Sequence, residues 1–296
     1  MNKHFFCIAF LLPFFLTAQR LEHHDILLLN LSKNTAGIWL ASTPRFLTTF
    51  NPRGYNNQPR FFSDTELWLT AQTPDDTNQT EIYALDLAAK TVARVTATPL
   101  TSEFSPILMP NGKRFSAVRV EEDGNQRLWS FPLDRSDNGQ AEFPRLLNVG
   151  YHCWLNDSLV AFFIVGENDA PHTLQVASTR SLTPRKISSN IGRCLIRHPE
   201  GKLVFVQKPT NETWFLKTWN PANNTQDIIV KMPLGVEDFA LMPDGTYLAG
   251  NAARLFYYKP GRDSEWKELI NLAKFGVKKI TRLAAARDGK VAVVVE

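Results

Sequence analysis

The chain has 296 residues, of which 44% are apolar and 21% charged, and a formal net charge of +4. That apolar share supports a substantial core, and the length admits two ordinary domains or one large all-β domain. Basic and acidic residues are interspersed with no run of Lys or Arg, which argues against nucleic acid as a partner. Twenty Phe and seven Trp suit pleated, half-buried sheets.

At the N-terminus, Lys3 and His4 precede an apolar stretch from Phe5 to Leu16, and Leu16-Thr17-Ala18 offers a small residue for cleavage before Gln19. This pattern predicts a secretory signal over residues 1–18 and a mature chain of residues 19–296 in the periplasm or secreted. The apolar run is about a dozen residues, short of the ~20 that span a bilayer. Cys7 lies inside it, too early for a lipidated cysteine. No later segment reads as a transmembrane span. His23-His24-Asp25 is read as the lead-in to the first strand rather than as a metal site.

Beyond that lead-in the chain repeats. Six turns share an apolar stretch, then Asp, Asn or Glu, then a β-rich run; the polar positions are Asp64, Asn111, Asn156, Glu200, Asp244 and Asp288, at intervals of 47, 45, 44, 44 and 44 residues. In the second period Phe104 to Met109, Arg114 to Val120, Arg127 to Leu133 and Phe143 to Leu147 read as four strands, with Asp123-Gly124 as a turn. Four strands in a period of ~45 residues is the signature of a propeller blade. After Asp288 only two strands' worth of chain remains, and the complement lies at the other terminus: Asp25 to Leu31 mirrors Glu81 to Leu87, and Arg45 to Thr49 mirrors Arg94 to Thr98. The predicted fold is all-β, a six-bladed β-propeller. Its blades cover approximately 55–98, 101–148, 149–189, 190–232, 233–272, and 278–296 joined to 25–50, so that strands from both termini close the sixth and leave no open sheet edge.

The repeat, Pro-x-aromatic-x-x-Asp, a β run, acid-Ile-Tyr-x-x-Asp-Leu and Arg-Val-Thr, resembles that of TolB-like propellers, of the WD40-like kind. Gly54 to Pro59, Val120 to Trp129, Gly150 to Trp154 and Asn190 to Leu195 are similar to stretches of a group of exported bacterial propellers. Blades four to six depart from the pattern, with Arg197-His198-Pro199 and Ala286-Arg287 in place of aromatic-Ser-Pro. The resemblance implies the fold over residues 21–296. It carries no activity, because propellers host many.

In a propeller the loops from strand two to three, and from strand four to the next strand one, share one face. Asp75, Asp76, Glu121, Glu122, Asp123, Glu167, Asp169 and Glu212 fall in those loops, and Lys113, Arg114, Lys202, Arg287 and Lys290 at the opposite end. An acidic entry face is expected to recruit a basic partner. The leading reading is therefore a non-enzymatic scaffold that binds an envelope protein or peptide, with Asp75, Asp76, Glu121, Glu122, Asp123 and Glu167 at the rim. Tyr151 and His152, near the channel, are further binding-face candidates, and Tyr151, Trp154 and Trp129 are aromatic candidates for anchoring the partner.

The alternative is a lactonase- or esterase-type hydrolase. Glu103, Glu237 and Asp238 would face one another over the channel, with Asn57 and His152 nearby, and hold calcium or another divalent cation. Arg193 and Arg282, on first strands, are instead suited to an anion. No nucleophile elbow, Cys-x-x-Cys pair or phosphate-cradling glycine loop occurs, so no cofactor is expected beyond that cation. Cys153 and Cys194 fall on neighbouring inner strands but about three residues apart in height; at ~3.3 Å per residue this is ~10 Å, beyond disulfide reach, and free thiols are expected.

Overall fold

The alternation of the first strand explains why the chain begins as it does. In Asp25–Lys33, Ile26 and Leu28 point toward one neighbouring sheet, while Leu27, Leu29 and Leu31 point toward the other. Successive strand side chains face opposite ways, so a strand buried on both faces reads as the near-continuous run Ile-Leu-Leu-Leu. The computed structural model describes residues 21–75 and 79–296, and the proposed signal of residues 1–18 lies outside them.

Six sheets form the six blades of a propeller, with a 3-10 turn at Ala273–Phe275 among the strands. Blade 1 runs, from the channel outward, Tyr55–Phe61, Glu66–Gln72, Glu81–Asp86 and Thr91–Arg94. Blades 2 to 5 follow in chain order, with inner strands Ser102–Leu108, Val149–Trp154, Ile191–Arg197 and Phe239–Leu241. Blade 6 has Ile280–Ala285 innermost, then Lys290–Val295, then Asp25–Lys33. The last two pair antiparallel from Asp25 opposite Val295 to Asn30 opposite Lys290, so both termini close the ring as expected.

Two outer strands differ from the sequence expectation. In blade 2 the fourth strand is only Gln140–Ala141. Glu142 still donates to the Leu128 carbonyl at 2.9 Å, but Pro144 has no N–H to extend the ladder. Phe143 instead turns inward, edge-on to Phe162 with ring centroids 5.0 Å apart. In blade 6 the outer edge is two short pieces, Trp39–Ala41 and Arg45–Phe46, both paired with Asp25–Lys33.

The core is distributed between blades. Six apolar clusters fill the six blade-to-blade interfaces; Trp68, Ile82, Phe115, Ala117 and Phe131 join blades 1 and 2, and Cys153, Phe163, Phe205 and Trp219 join blades 3 and 4. Cys153 and Cys194 sit on the inner strands of blades 3 and 4 as free thiols.

Five of the six inner strands slip register against their neighbours, at Asn57/Arg60, Phe104/Ile107, Val149/Tyr151, Ile191/Leu195 and Ile280/Arg282. In blades 1 and 2 the slip carries a non-glycine residue in the left-handed region, Gln58 (φ 53°) and Ser105 (φ 55°). Such residues cost of order 1–3 kcal/mol each, and bulges re-aim side chains. Here they re-aim them toward the channel.

Candidate functional site: the central channel and its rim

The channel is walled by side chains from all six blades, on or just before their inner strands: Arg60 from blade 1, Ser105 from blade 2, Tyr151 and His152 from blade 3, Arg193 from blade 4, Asp238 from blade 5 and Arg282 from blade 6. The cavity encloses about 520 Å³ of space open to solvent. A second depression, lined by Lys279, Glu237, Arg193, Asp238 and Arg282, adjoins it at blades 4 to 6.

Its chemistry is predominantly cationic. The Arg282 guanidinium donates to the Tyr151 hydroxyl at 2.6 Å and lies over the Tyr151 ring at 4.9 Å. Arg193 donates to the Thr281 carbonyl at 2.9 Å. Asp238 Oδ2 sits between these two guanidiniums, 3.6 Å from Arg282 and 3.7 Å from Arg193, while its other oxygen accepts from the Leu283 N–H at 3.0 Å. Burial pushes the Asp238 carboxyl upward, against the pull of Arg282 and Arg193. Arg60 makes no hydrogen bond or ion pair among the described residues.

His152 is 2% exposed. Its Nε2 is 2.7 Å from the Ser116 hydroxyl, which also accepts from Trp154 Nε1 at 2.9 Å. The Ser116 hydrogen can reach His152 Nε2 at 2.7 Å or the Ile107 carbonyl at 3.4 Å. With Ser116 donating to Nε2 the hydrogen of the neutral ring lies on Nδ1; with Nε2 donating instead, Ser116 turns its own hydrogen to the Ile107 carbonyl and Nδ1 is an acceptor. Burial first, and then the Arg60 charge, pull the pKa of His152 down to about 3, so the ring is neutral at physiological pH.

Of the proposed metal ligands, Glu103 is elsewhere engaged. It is fully buried and accepts from Arg119 Nε at 2.8 Å and from the Thr101 hydroxyl at 3.0 Å. Arg119 in turn stacks over Trp129 at 4.1 Å. Burial raises the Glu103 pKa, opposed by the Thr98 hydroxyl and by Arg119. Glu237 pairs with Lys208 at 3.4 Å and accepts from the Arg193 backbone N–H. Glu103, Glu237 and Asp238 are not brought together as a ligand set. Among the described residues the group whose ligand atoms lie within 4.8 Å of one another is Glu22, His24 and Glu296, where the termini meet. Asn57 is buried and caps its own bulge, its side-chain oxygen accepting from the Gln58 N–H at 2.8 Å.

On the rim, Asp75, Glu122, Asp123 and Glu167 are exposed, and Asp76 lies outside the described residues. Glu121 is tied down: it accepts from Trp129 Nε1 at 2.8 Å and pairs with Arg127. Asp123 closes its own turn by accepting from the Asn125 N–H at 3.0 Å, and Glu167 accepts from Asn148. Glu122 has no hydrogen bond or ion pair among the described residues. Beside it a groove at blades 1 and 2 is lined by Gln79, Pro99, Leu100, Val120, Glu121 and Glu122, with Leu100 70% exposed. Trp154 is buried and Trp129 half-buried, each with its indole N–H bonded inward, so neither offers a free anchoring surface.

Sequence reasoning missed Gln58, Arg60 and Ser105. A signal was present: Gln58-Pro59 and Ser105-Pro106 stand 47 residues apart, the spacing of the Asp64 and Asn111 turns. A proline inside an apparent inner strand marks a bulge.

The chain is similar in structure to a putative TolB from Agrobacterium tumefaciens, with TM-score 0.64, 11% identity, and coverage of 92% of this chain and 97% of that one. It is similar to a chain of a nidogen/laminin complex, with TM-score 0.63, 9% identity, and 93% and 99% covered. Against TolB from Acinetobacter baumannii the TM-score is 0.57 at 12% identity, with 92% of this chain covered but only 64% of that one. No protein-family model matches the chain, and no curated protein matches it. At these identities the likeness is one of fold, and the fold is a TolB-like six-bladed propeller.

Proposed function

We propose that this propeller is an exported binding scaffold that takes a basic peptide segment of an envelope protein along its rim at blades 1 and 2. The observation that carries the reading is the groove in which a largely exposed Leu100 lies beside the carboxylate of Glu122, which has no partner among the described residues, with Pro99 and Val120 as further apolar wall. An apolar anchor flanked by a carboxylate suits a segment that pairs an aliphatic or aromatic side chain with Lys or Arg. The rim loops stand on a rigid ring of sheets, which lowers the ordering cost of binding. The signal pattern of residues 1–18 supports export, and among the described residues no helix is long and apolar enough to cross a membrane.

The test is affinity capture from the native cell envelope with the mature chain and with a Leu100→Glu/Glu122→Lys variant of matched melting temperature. The wild-type chain is expected to retain a stoichiometric protein partner that the variant loses. Recovery of the same proteins by both would refute the rim as the binding site.

A further inference from the structure

The channel wall carries three guanidiniums, Arg60, Arg193 and Arg282, against the single carboxylate of Asp238. The pairing within this set is incomplete. The contacts of Asp238 to Arg193 and Arg282, at 3.7 and 3.6 Å, lie outside hydrogen-bonding range, and the Nε of each arginine is buried without a hydrogen-bond partner. Arg60 has no partner at all among the described residues.

Two further polar atoms of this wall are unsatisfied and deeply buried: Nδ1 of His152, on a residue 2% exposed, and the hydroxyl of Ser105, on a residue 8% exposed. Buried polar groups are nearly always hydrogen-bonded, and each such orphan calls for a reason. Several share one cavity here, and each can give a hydrogen: the arginines always, Ser105 through its hydroxyl, and His152 in the neutral tautomer that carries its hydrogen on Nδ1, with Ser116 donating to Nε2. Two non-glycine residues with left-handed backbone, Gln58 and Ser105, line the same cavity beside Pro59 and Pro106.

We propose that the central channel is a binding site for a small oxyanion, a carboxylate or phosphate group, held by Arg60, Arg193 and Arg282 with Ser105 and His152 as donors. Guanidinium forks match the planar or tetrahedral oxygens of such groups and form charge-assisted hydrogen bonds with them. The adjoining depression at blades 4 to 6 is lined by Lys279, which pairs with Glu296 at 3.0 Å, and by Glu237, which pairs with Lys208, so the unbalanced positive charge belongs to the channel arginines. The neutral His152 suits the role of donor, because it adds a hydrogen bond without a fourth buried charge. This site is separate from the rim groove at blades 1 and 2, and the two readings stand or fall independently.

The experiment is isothermal titration calorimetry of the mature chain with inorganic phosphate and, separately, with succinate, at near-physiological salt. Saturable one-to-one binding of at least one probe is expected, and the stronger of the two identifies the class of oxyanion. Because Arg60 has no side-chain partner among the described residues to lose, Arg60→Gln is expected to fold normally and to weaken binding about tenfold or more, the value of one charge-assisted hydrogen bond. Arg193→Gln is expected to do the same, while Leu100→Glu/Glu122→Lys leaves the affinity unchanged. Absence of saturable binding by both probes overturns the proposal, as does undiminished binding in a folded Arg60→Gln variant.

Discussion

At the scale of single residues, burial decides what each charged group does. His152 is held neutral in the folded protein with its pKa near 3, whereas an unfolded histidine titrates near 6.5. Between those values the unfolded chain binds a proton that the folded chain refuses, so this residue's contribution to stability is present above pH ~6.5 and is lost as pH falls toward 3, by up to about 1.4 kcal/mol per pH unit. A His152→Gln variant is therefore expected to have a shallower acid limb than wild type in urea denaturation series over that range. Parallel limbs would mean that the ring is solvated when folded. Glu103 and Arg119 are the complementary case, a buried pair in which each charge depends on the other. Glu103→Ala strands the Arg119 guanidinium and is expected to cost about 3–5 kcal/mol, read as a shift in denaturation midpoint. A cost below about 1 kcal/mol would show that Arg119 reaches water instead.

At the scale of elements, turn and bulge chemistry sets where side chains point. The hairpin between strands two and three of blade 5 has a two-residue loop, with Asn251 opposite Arg254, and Ala252 there has φ 48°. A left-handed residue with a Cβ is disfavoured by roughly 1–2 kcal/mol, and glycine relieves this at the cost of some unfolded-state entropy. Ala252→Gly is expected to stabilise the protein by about 0.5 kcal/mol, small but resolvable by thermal denaturation. The bulges at Gln58 and Ser105 obey the same physics to a different end, since they spend strain at channel-facing positions. The alternation of apolar residues was legible in the sequence and located the first three strands of blade 2 and the two central strands that close blade 6. The channel-facing set was legible only in part. Arg193, Arg282, Tyr151 and His152 were placed by repeat register, whereas Arg60 and Ser105 were missed: only the repeated Gln58-Pro59 and Ser105-Pro106 pairs mark their bulges, and a one-residue slip reverses which face a strand residue occupies.

At the scale of the molecule, closure is the organising fact. Lys290–Val295 has Ile280–Ala285 on one side and Asp25–Lys33 on the other, and the apolar residues of Asp25–Lys33 fill both the interface with blade 5 and that with blade 1. A chain beginning at residue 47 would expose the Lys290–Val295 edge and two apolar interfaces at once, and exposed edges template aggregation. Such a chain is expected to lose the near-UV circular dichroism of the full chain and to elute as aggregate. A monomeric chain with native ellipticity would show that five blades and a half-blade suffice.

The sequence by itself determined the number of blades, the closure by both termini and the free thiols, because these follow from periodicity and local alternation, which are properties of neighbouring residues. It also located the acids of the rim loops. Only the tertiary structure decided which charges are available. It tied Glu121 to Trp129 and Arg127, buried Glu103 against Arg119, and left Glu122 and Arg60 without a partner among the described residues. Arg282 and Tyr151 meet although 131 positions separate them. Whether a charge is spent on the fold or left for a ligand depends on such encounters across the ring, and no local pattern in the chain encodes them.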